Sequence, residues 1–243
     1  MRIELTEKPQ GVILIEGFPG YGLIGTITTE FLISHLNAKQ IGRIQSDKIN
    51  PVVMVHDGKV IDPIGIFYAK KNKIVILHAL ISVTGMEWEL AEIINDLSKQ
   101  LKVKEIISIE GVGSVKEEVT GKEVIVNTYY YSQSKEKWKK TGSNPLDEGV
   151  VMGVTGALLL KKGLPLSCVF AEAQSKLPVP DSRASAKVIE ILDKYLGLNV
   201  DYKPLLKKAD EFEGKLKTLL EGSKKALDSK KEKESNYELD YLG

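Results

Sequence analysis

At 243 residues the chain is long enough for one large α/β domain or two small ones, and it can bury a real core. Lys and Arg number 34 against 33 Asp and Glu, a net charge of +1, and Arg occurs only at Arg2, Arg43 and Arg183, so neither a basic field nor guanidinium forks argue for nucleic acid. Cys168, the single cysteine, excludes an internal disulfide framework, and no uninterrupted apolar run approaches the roughly 20 residues of a membrane-spanning helix.

Val12 to Ile15 is a short continuous apolar run, the pattern of a strand buried on both faces. A glycine-rich loop follows, and Thr26 to Leu36 then carries Ile27, Phe31 and Leu32 at helical spacing, a β-loop-α opening. Val52 to Val55 and Val60 to Tyr68 flank an Asp57-Gly58 turn, and Ile74 to Leu77 adds a further strand, which predicts an antiparallel meander inside the α/β alternation. Thr84-Gly85-Met86-Glu87 has the form of a capping box ahead of a helix striped by Leu90, Ile93, Ile94, Leu97 and Leu101. Glu105 to Ile109 and Lys122 to Tyr131 read as strands. Ser132 to Asn144 reads as a polar loop carrying Lys135, Lys137, Trp138, Lys139 and Lys140, with an exposed tip.

Val150 to Leu160 is an apolar helical segment holding Gly153 and Gly156, with a stop at Lys162-Gly163. Ser167 to Ala171 is the last clear strand, and the next helix, striped by Val188, Ile189, Leu192 and Tyr195, has Asp181 or Ser182 as its cap and Gly197 as its end. Residues 1–203 therefore predict one three-layer α/β/α domain with a largely parallel sheet. From Pro204 to about residue 227, Leu205, Ala209, Phe212, Leu216 and Leu219 recur at steps of four and three, an amphipathic helix suited to oligomerisation. Residues 228–243 begin as a charged tether, DSKKEKESN, and end on Leu239, Tyr241, Leu242 and Gly243, a flexible tail with an apolar tip.

Gly20-Tyr21-Gly22-Leu23-Ile24-Gly25 matches the G-x-G-x-x-G of dinucleotide-binding turns, and Asp47 stands 47 − 25 = 22 residues beyond it, where a ribose-binding acid belongs. Pro19 inside the loop and the weak strand pattern of Gln40 to Ser46 count against that reading, and a tight strand-to-helix turn needs the same small residues. No phosphate-binding loop, nucleophile elbow or HExxH motif occurs, and His35, His56 and His78 lack metal-ligand spacing, so no cofactor or metal is expected. Cys168, among Leu166, Val169 and Phe170, reads as a core residue. Glu16, Glu110 and Glu172 each end an expected strand and His78 ends a fourth, so the four could converge on one pocket at the carboxyl edge of the sheet. The plainer reading has these carboxylates accepting hydrogen bonds from loops and helix starts.

Three segments together resemble the proteasome-assembly-chaperone-two family, as its archaeal and bacterial members carry it: Glu16-Gly17-Phe18-Pro19-Gly20 with Gly22 and Gly25, Gly153 to Leu160, and Pro180-Asp181-Ser182-Arg183-Ala184. The resemblance spans most of residues 10–200. It implies a phosphorylase-like fold, homo-oligomerisation and a scaffold role without catalysis, with the glycine motif a fold signature rather than a nucleotide site. Some relatives end in a hydrophobic-Tyr-any tripeptide that docks between proteasome α subunits. Here Tyr241 stands third from the end and Asp240 precedes it, so Leu239, Tyr241 and Leu242 are the candidate contacts. The expected function is a cytosolic scaffold of thermophilic, archaeal type that binds proteasome α subunits or a related ring partner through its tails. The alternatives are a small-molecule or nucleotide-dependent enzyme using the strand-end carboxylates, and a structural partner in a larger hetero-complex.

Overall fold

The computed structural model describes residues 1–49, 53–56, 58–113, 126–173 and 180–202, with only the backbone of residues 54, 56 and 59. The expected C-terminal helix, with Leu205, Ala209, Phe212, Leu216 and Leu219, and the tail, with Leu239, Tyr241, Leu242 and Gly243, lie outside the described residues.

The centre of the fold is four parallel neighbours: β7 (Ile74–Ala79), β2 (Ile13–Gly17), β8 (Glu105–Gly113) and β11 (Leu166–Ala173). Every residue of β7 is buried, as expected of a strand covered on both faces. Consecutive residues point to opposite sides. Ile15, Ile76 and Ile107 enter one core with Leu23, Ile24 and Ile27 of α1 (Ile24–His35) and Val188, Ile189 and Leu192 of α5 (Ser182–Leu196). Their neighbours Leu14, Val75 and Ile106 enter a second core with Leu90, Ile94 and Leu97 of α2 (Glu87–Leu101) and Val154 and Leu158 of α4 (Gly153–Leu159). The three-layer α/β/α architecture follows from this alternation.

Both flanks turn antiparallel. On one side β6 (Ile64–Ala69), β3 (Lys39–Gln45) and β1 (Arg2–Leu5) continue the sheet from β7. On the other, β9 (Thr128–Ser132) runs against β11, and the two-residue β10 (Asn144–Pro145) closes that edge in parallel with β9. The full order is β1-β3-β6-β7-β2-β8-β11-β9-β10. The expected meander is present, but its first part, β4 (Met54–His56) with β5 (Lys59–Ile61), forms a separate two-stranded ribbon. Pro63 stands between β5 and β6, where a residue without an N–H interrupts a ladder. Gln40 to Gln45, weak as a strand by pattern, is held by partners on both sides.

Two expectations change. Thr84 does not cap α2: its hydroxyl pairs with that of Ser82 at 2.9 Å, Gly85 turns the chain at φ +84°, and the cap position falls to Met86. The segment after β9 is not an exposed loop, because Lys135–Lys139 forms a short helix, α3, whose Trp138 is 0% exposed and stacks on Tyr195 at 3.8 Å and on Tyr130 at 6.1 Å. At α5 the caps are as expected, with Asp181 Oδ1 accepting from the Ala184 amide at 2.9 Å and Gly197 ending the helix at φ +67°. Among the described residues no helix is long and apolar enough to cross a membrane.

Candidate functional site

β2 ends at Gly17, and the chain passes through Phe18-Pro19-Gly20 and one 3-10 turn, Tyr21–Leu23, into α1. Gly17 and Gly25 of this passage are consumed by contact between backbones, whereas Gly20 and Gly22 face side chains. A Cβ on Gly17 would lie 2.4 Å from the Gly25 carbonyl oxygen, one on Gly25 would lie 2.9 Å from the Ile109 carbonyl oxygen, and one on Gly111 would lie 2.0 Å from that of Tyr21. Gly22 takes φ +63° and its carbonyl accepts the Asp181 amide at 2.8 Å, which ties the turn to the start of α5. Asp47 follows β3, which β6 and β7 separate from β2, so three strand spacings, about 14 Å, stand between it and the turn. The G-x-G-x-x-G match is a packing motif.

The four strand-end residues do not converge. Glu16 and Glu110 share the face covered by α2 and α4, as the pairing of Glu16 with Ser108, two residues before Glu110, requires. His78 pairs with Gly17 and therefore points to the opposite face, under α1. There Thr29 Oγ1 lies 2.8 Å from its Nδ1 and Glu30 Oε2 lies 3.1 Å from its Nε2, the latter too poorly aligned for a hydrogen bond. A hydroxyl, an imidazole and a carboxylate in series have the connectivity of a hydrolytic triad. The hydroxyl is unusable here: Thr29 is wholly buried inside α1 and donates to the Gly25 and Thr26 carbonyls. Glu172 shares a face with Glu110 but is engaged separately, accepting from Asn127 Nδ2 and the Tyr129 hydroxyl, each at 2.9 Å.

Glu16 and Glu110 remain as one polar cluster in an apolar layer. Glu16 is 1% exposed, and burial, opposed by the Ser108 hydroxyl and reinforced by the charge of Glu110, raises its pKa to about 8. Glu110 reaches the surface in part, and burial raises it to about 7 against the pull of Thr155. Thr155 Oγ1 donates to Glu110 Oε2 at 3.1 Å and lies 2.7 Å from Ser108 Oγ. The Gly20 loop closes over the pair: a Cβ on Gly20 would lie 2.5 Å from Glu110 Oε1. Cys168 pairs with Ser108 on the same face, and burial, with the two carboxylates, pushes its thiol up, which suppresses nucleophilic character.

Ser108 and Thr155 were not singled out from sequence, although a hydroxyl inside the apolar run Ile106 to Ile109, and another between Gly153 and Gly156, carry the signal. Among the described residues no group of three or more His, Cys, Asp or Glu side chains is placed to hold a metal ion. A hollow of ≈ 740 Å³ lies elsewhere, between the β1–β3 edge and the β4–β5 ribbon; Asp47 lines it, but none of the strand-end residues Glu16, His78, Glu110 and Glu172 does. Arg43 beside it is already paired with Glu4 at 2.8 Å and Asp62 at 3.3 Å.

The PAC2 family model matches residues 14–220. An uncharacterized protein of Methanocaldococcus jannaschii is 32% identical over 229 residues, covering 91% of this chain and 90% of that protein. The crystal structure of Pyrococcus furiosus PbaA, described as an archaeal homolog of proteasome-assembly chaperone, is similar with a TM-score of 0.78 and 31% identity, over 93% of this chain and 99% of PbaA. Pyrococcus furiosus PbaB, an archaeal proteasome activator, shares the fold at a TM-score of 0.68 and 22% identity, over 90% of this chain and 98% of its own. The glycine turn, the α4 segment and the Asp181 cap all fall within the matched range, and the chain belongs to the PAC2 family.

Proposed function

We propose that the chain is a homo-oligomeric scaffold of the proteasome-assembly-chaperone type, binding proteasome α subunits or a related ring partner through its C-terminal residues. The observation that carries this reading is the 31% identity to PbaA across nearly the whole of both chains. The interior supports a non-catalytic role: the motif that resembles a nucleotide site packs its last glycine on the sheet and has Asp47 three strands away, the hydroxyl beside His78 is buried, and the Cys168 thiol is held up. In this reading Leu205, Ala209, Phe212, Leu216 and Leu219 join the subunits, and Leu239, Tyr241, Leu242 and Gly243 contact the partner. Several tails on one oligomer act at high effective concentration, so no single contact has to be tight.

The test is surface plasmon resonance of the full-length chain and a chain ending at Asn236 on immobilised proteasome α subunits, with native mass spectrometry of both. Binding by the full-length chain alone, with unchanged oligomer mass, is the expected result. Equal binding by the shortened chain removes the tail from the mechanism, and no binding by either removes the α-subunit partner.

A further inference from the structure

The sheet sorts the lysines of this chain. β7, β2 and β8 run parallel and in register from Ile74, Ile13 and Glu105, so their amino ends lie side by side. β6 ends and β3 begins at that same end, where Ala69 pairs with Ile74 and Lys39 with Tyr68. Six exposed lysines stand there: Lys39, then Lys70, Lys71 and Lys73 between β6 and β7, then Lys102 and Lys104 ahead of β8. From β3 to β8 they cover four strand spacings, about 19 Å. None of the six is ion-paired with another described residue. Residues 7–8, 36–39, 69–74 and 96–105, which make up this end, hold eight Lys and three Asp or Glu, 8 − 3 = +5. The whole chain is +1, so all its other residues sum to 1 − 5 = −4.

Local structure accounts for only part of this. Lys99 stands in the last turn of α2 and Lys102 at its C-cap, where a cation complements the helix dipole. The β6–β7 turn joins two strands and has no such need. Nucleic acid is the poorer fit, because Arg2, Arg43 and Arg183 all stand toward the opposite end of the sheet. The exposed aromatic side chains Trp88 and Tyr131 are on α2 and β9, away from these turns. The C-terminal residues start from the lysine-bearing end: α5 runs down from the Gly22 turn to Tyr195, whose hydroxyl donates to Glu105 at the start of β8 at 2.9 Å. Residues 203–243 hold ten Lys and nine Asp or Glu, so they bring no surplus of carboxylates to offset the six lysines.

We infer that this end of the sheet is a docking face for an acidic protein surface, one rich in Asp and Glu, and that it meets the partner held by the C-terminal residues. The inference rests on the proposed role of those residues, since a partner seized by a segment that begins after Tyr202 is brought against this end. Ammonium groups spread over about 19 Å act as point charges that speed encounter and orient it.

The test is surface plasmon resonance of the full-length chain on immobilised proteasome α subunits at about 0.05 and 0.5 M salt, with two triple variants beside it. One carries Lys70→Glu, Lys71→Glu and Lys104→Glu; the other carries glutamine at the same exposed positions. Lys73 and Lys102 take positive φ and are left in place. The glutamate variant takes this end from +5 to 5 − 6 = −1, and the glutamine variant to 5 − 3 = +2. At low salt the association rate should fall about tenfold or more in the glutamate variant and by less in the glutamine variant, with the differences shrinking at high salt. Circular dichroism of both variants should match that of the native chain. Binding with the same association rate in all three overturns the lysine face and leaves the tail-borne function standing. No binding by any of them overturns both. A 20-base-pair DNA duplex at about 0.15 M salt is the second surface: micromolar binding that the glutamate variant loses, with unchanged association to α subunits, assigns the lysines to nucleic acid and overturns the inference.

Discussion

Replacing Glu16 with glutamine keeps the shape of the protonated acid and removes its ability to ionise. In the folded chain the Glu16 carboxyl is raised from an ordinary 4.5 to about 8. A raised acid contributes stability that is fully present below its unfolded value and is lost as the pH climbs through the folded value, so the native protein weakens between about pH 5 and 8. The difference corresponds to roughly 5 kcal/mol once ionisation is complete, of which on the order of 1 kcal/mol is lost by pH 5 and about 4 kcal/mol by pH 8. Glu16→Gln escapes this loss. Its melting temperature should exceed the native one slightly at about pH 5 and by on the order of 10 °C at about pH 8, taking roughly 2–4 °C per kcal/mol for a chain of this size. Calorimetry at matched protein concentration across that range measures it, with urea unfolding as a check on two-state behaviour. A gain that is the same at both pH values, or a uniform loss, would show that Glu16 does not hold a proton in the fold.

Other perturbations test separate joints. Gly25→Ala forces a Cβ to within 2.9 Å of the Ile109 carbonyl and of the Gly17 Cα, and should cost on the order of 3 kcal/mol in urea unfolding, because backbone must move. Trp138→Ala should cost roughly 3–5 kcal/mol, and Trp138→Phe should remove the blue component of tryptophan fluorescence, leaving the red emission of exposed Trp88. Asp181→Ala should lower stability by about 1 kcal/mol and Asp181→Asn should restore most of it, since either Asp or Asn can accept from the Ala184 amide. Tyr241→Ala should weaken binding to proteasome α subunits in surface plasmon resonance while native mass spectrometry shows the same oligomer.

Much of the α/β body can be read from residue order. Val12 to Ile15 and Ile74 to Leu77 announce central strands because apolar residues are continuous there, and α5 declares both of its ends through Asp181 and Gly197. What residue order hides is which side of the sheet a strand end faces. Glu16 and His78 both close an apolar run at the same edge, yet the β2–β7 register sets His78 opposite Gly17 and on the far face. Facing depends on pairing, and pairing is long-range. Trp138 escaped for a related reason: Lys135, Glu136, Lys137, Lys139 and Lys140 surround it in sequence, but α3 carries it onto Tyr195, 57 residues on (195 − 138). At Thr84 the hydroxyl pairs with Ser82 rather than with the amides of α2, a competition that sequence spacing does not resolve.

The flanks of the sheet bear on how copies of this chain can meet. An edge strand with free N–H and C=O groups is a template for another strand. Here one edge, β1, is four residues long and carries Arg2 and Glu4 as an ion pair; the other, β10, is two residues long and includes Pro145, which has no N–H to offer. Both borders of the described sheet are thus blunted against continuous ribbon growth. Any joining of copies through the ends of this nine-stranded sheet would have to rest on side-chain surfaces rather than on a continued backbone ladder.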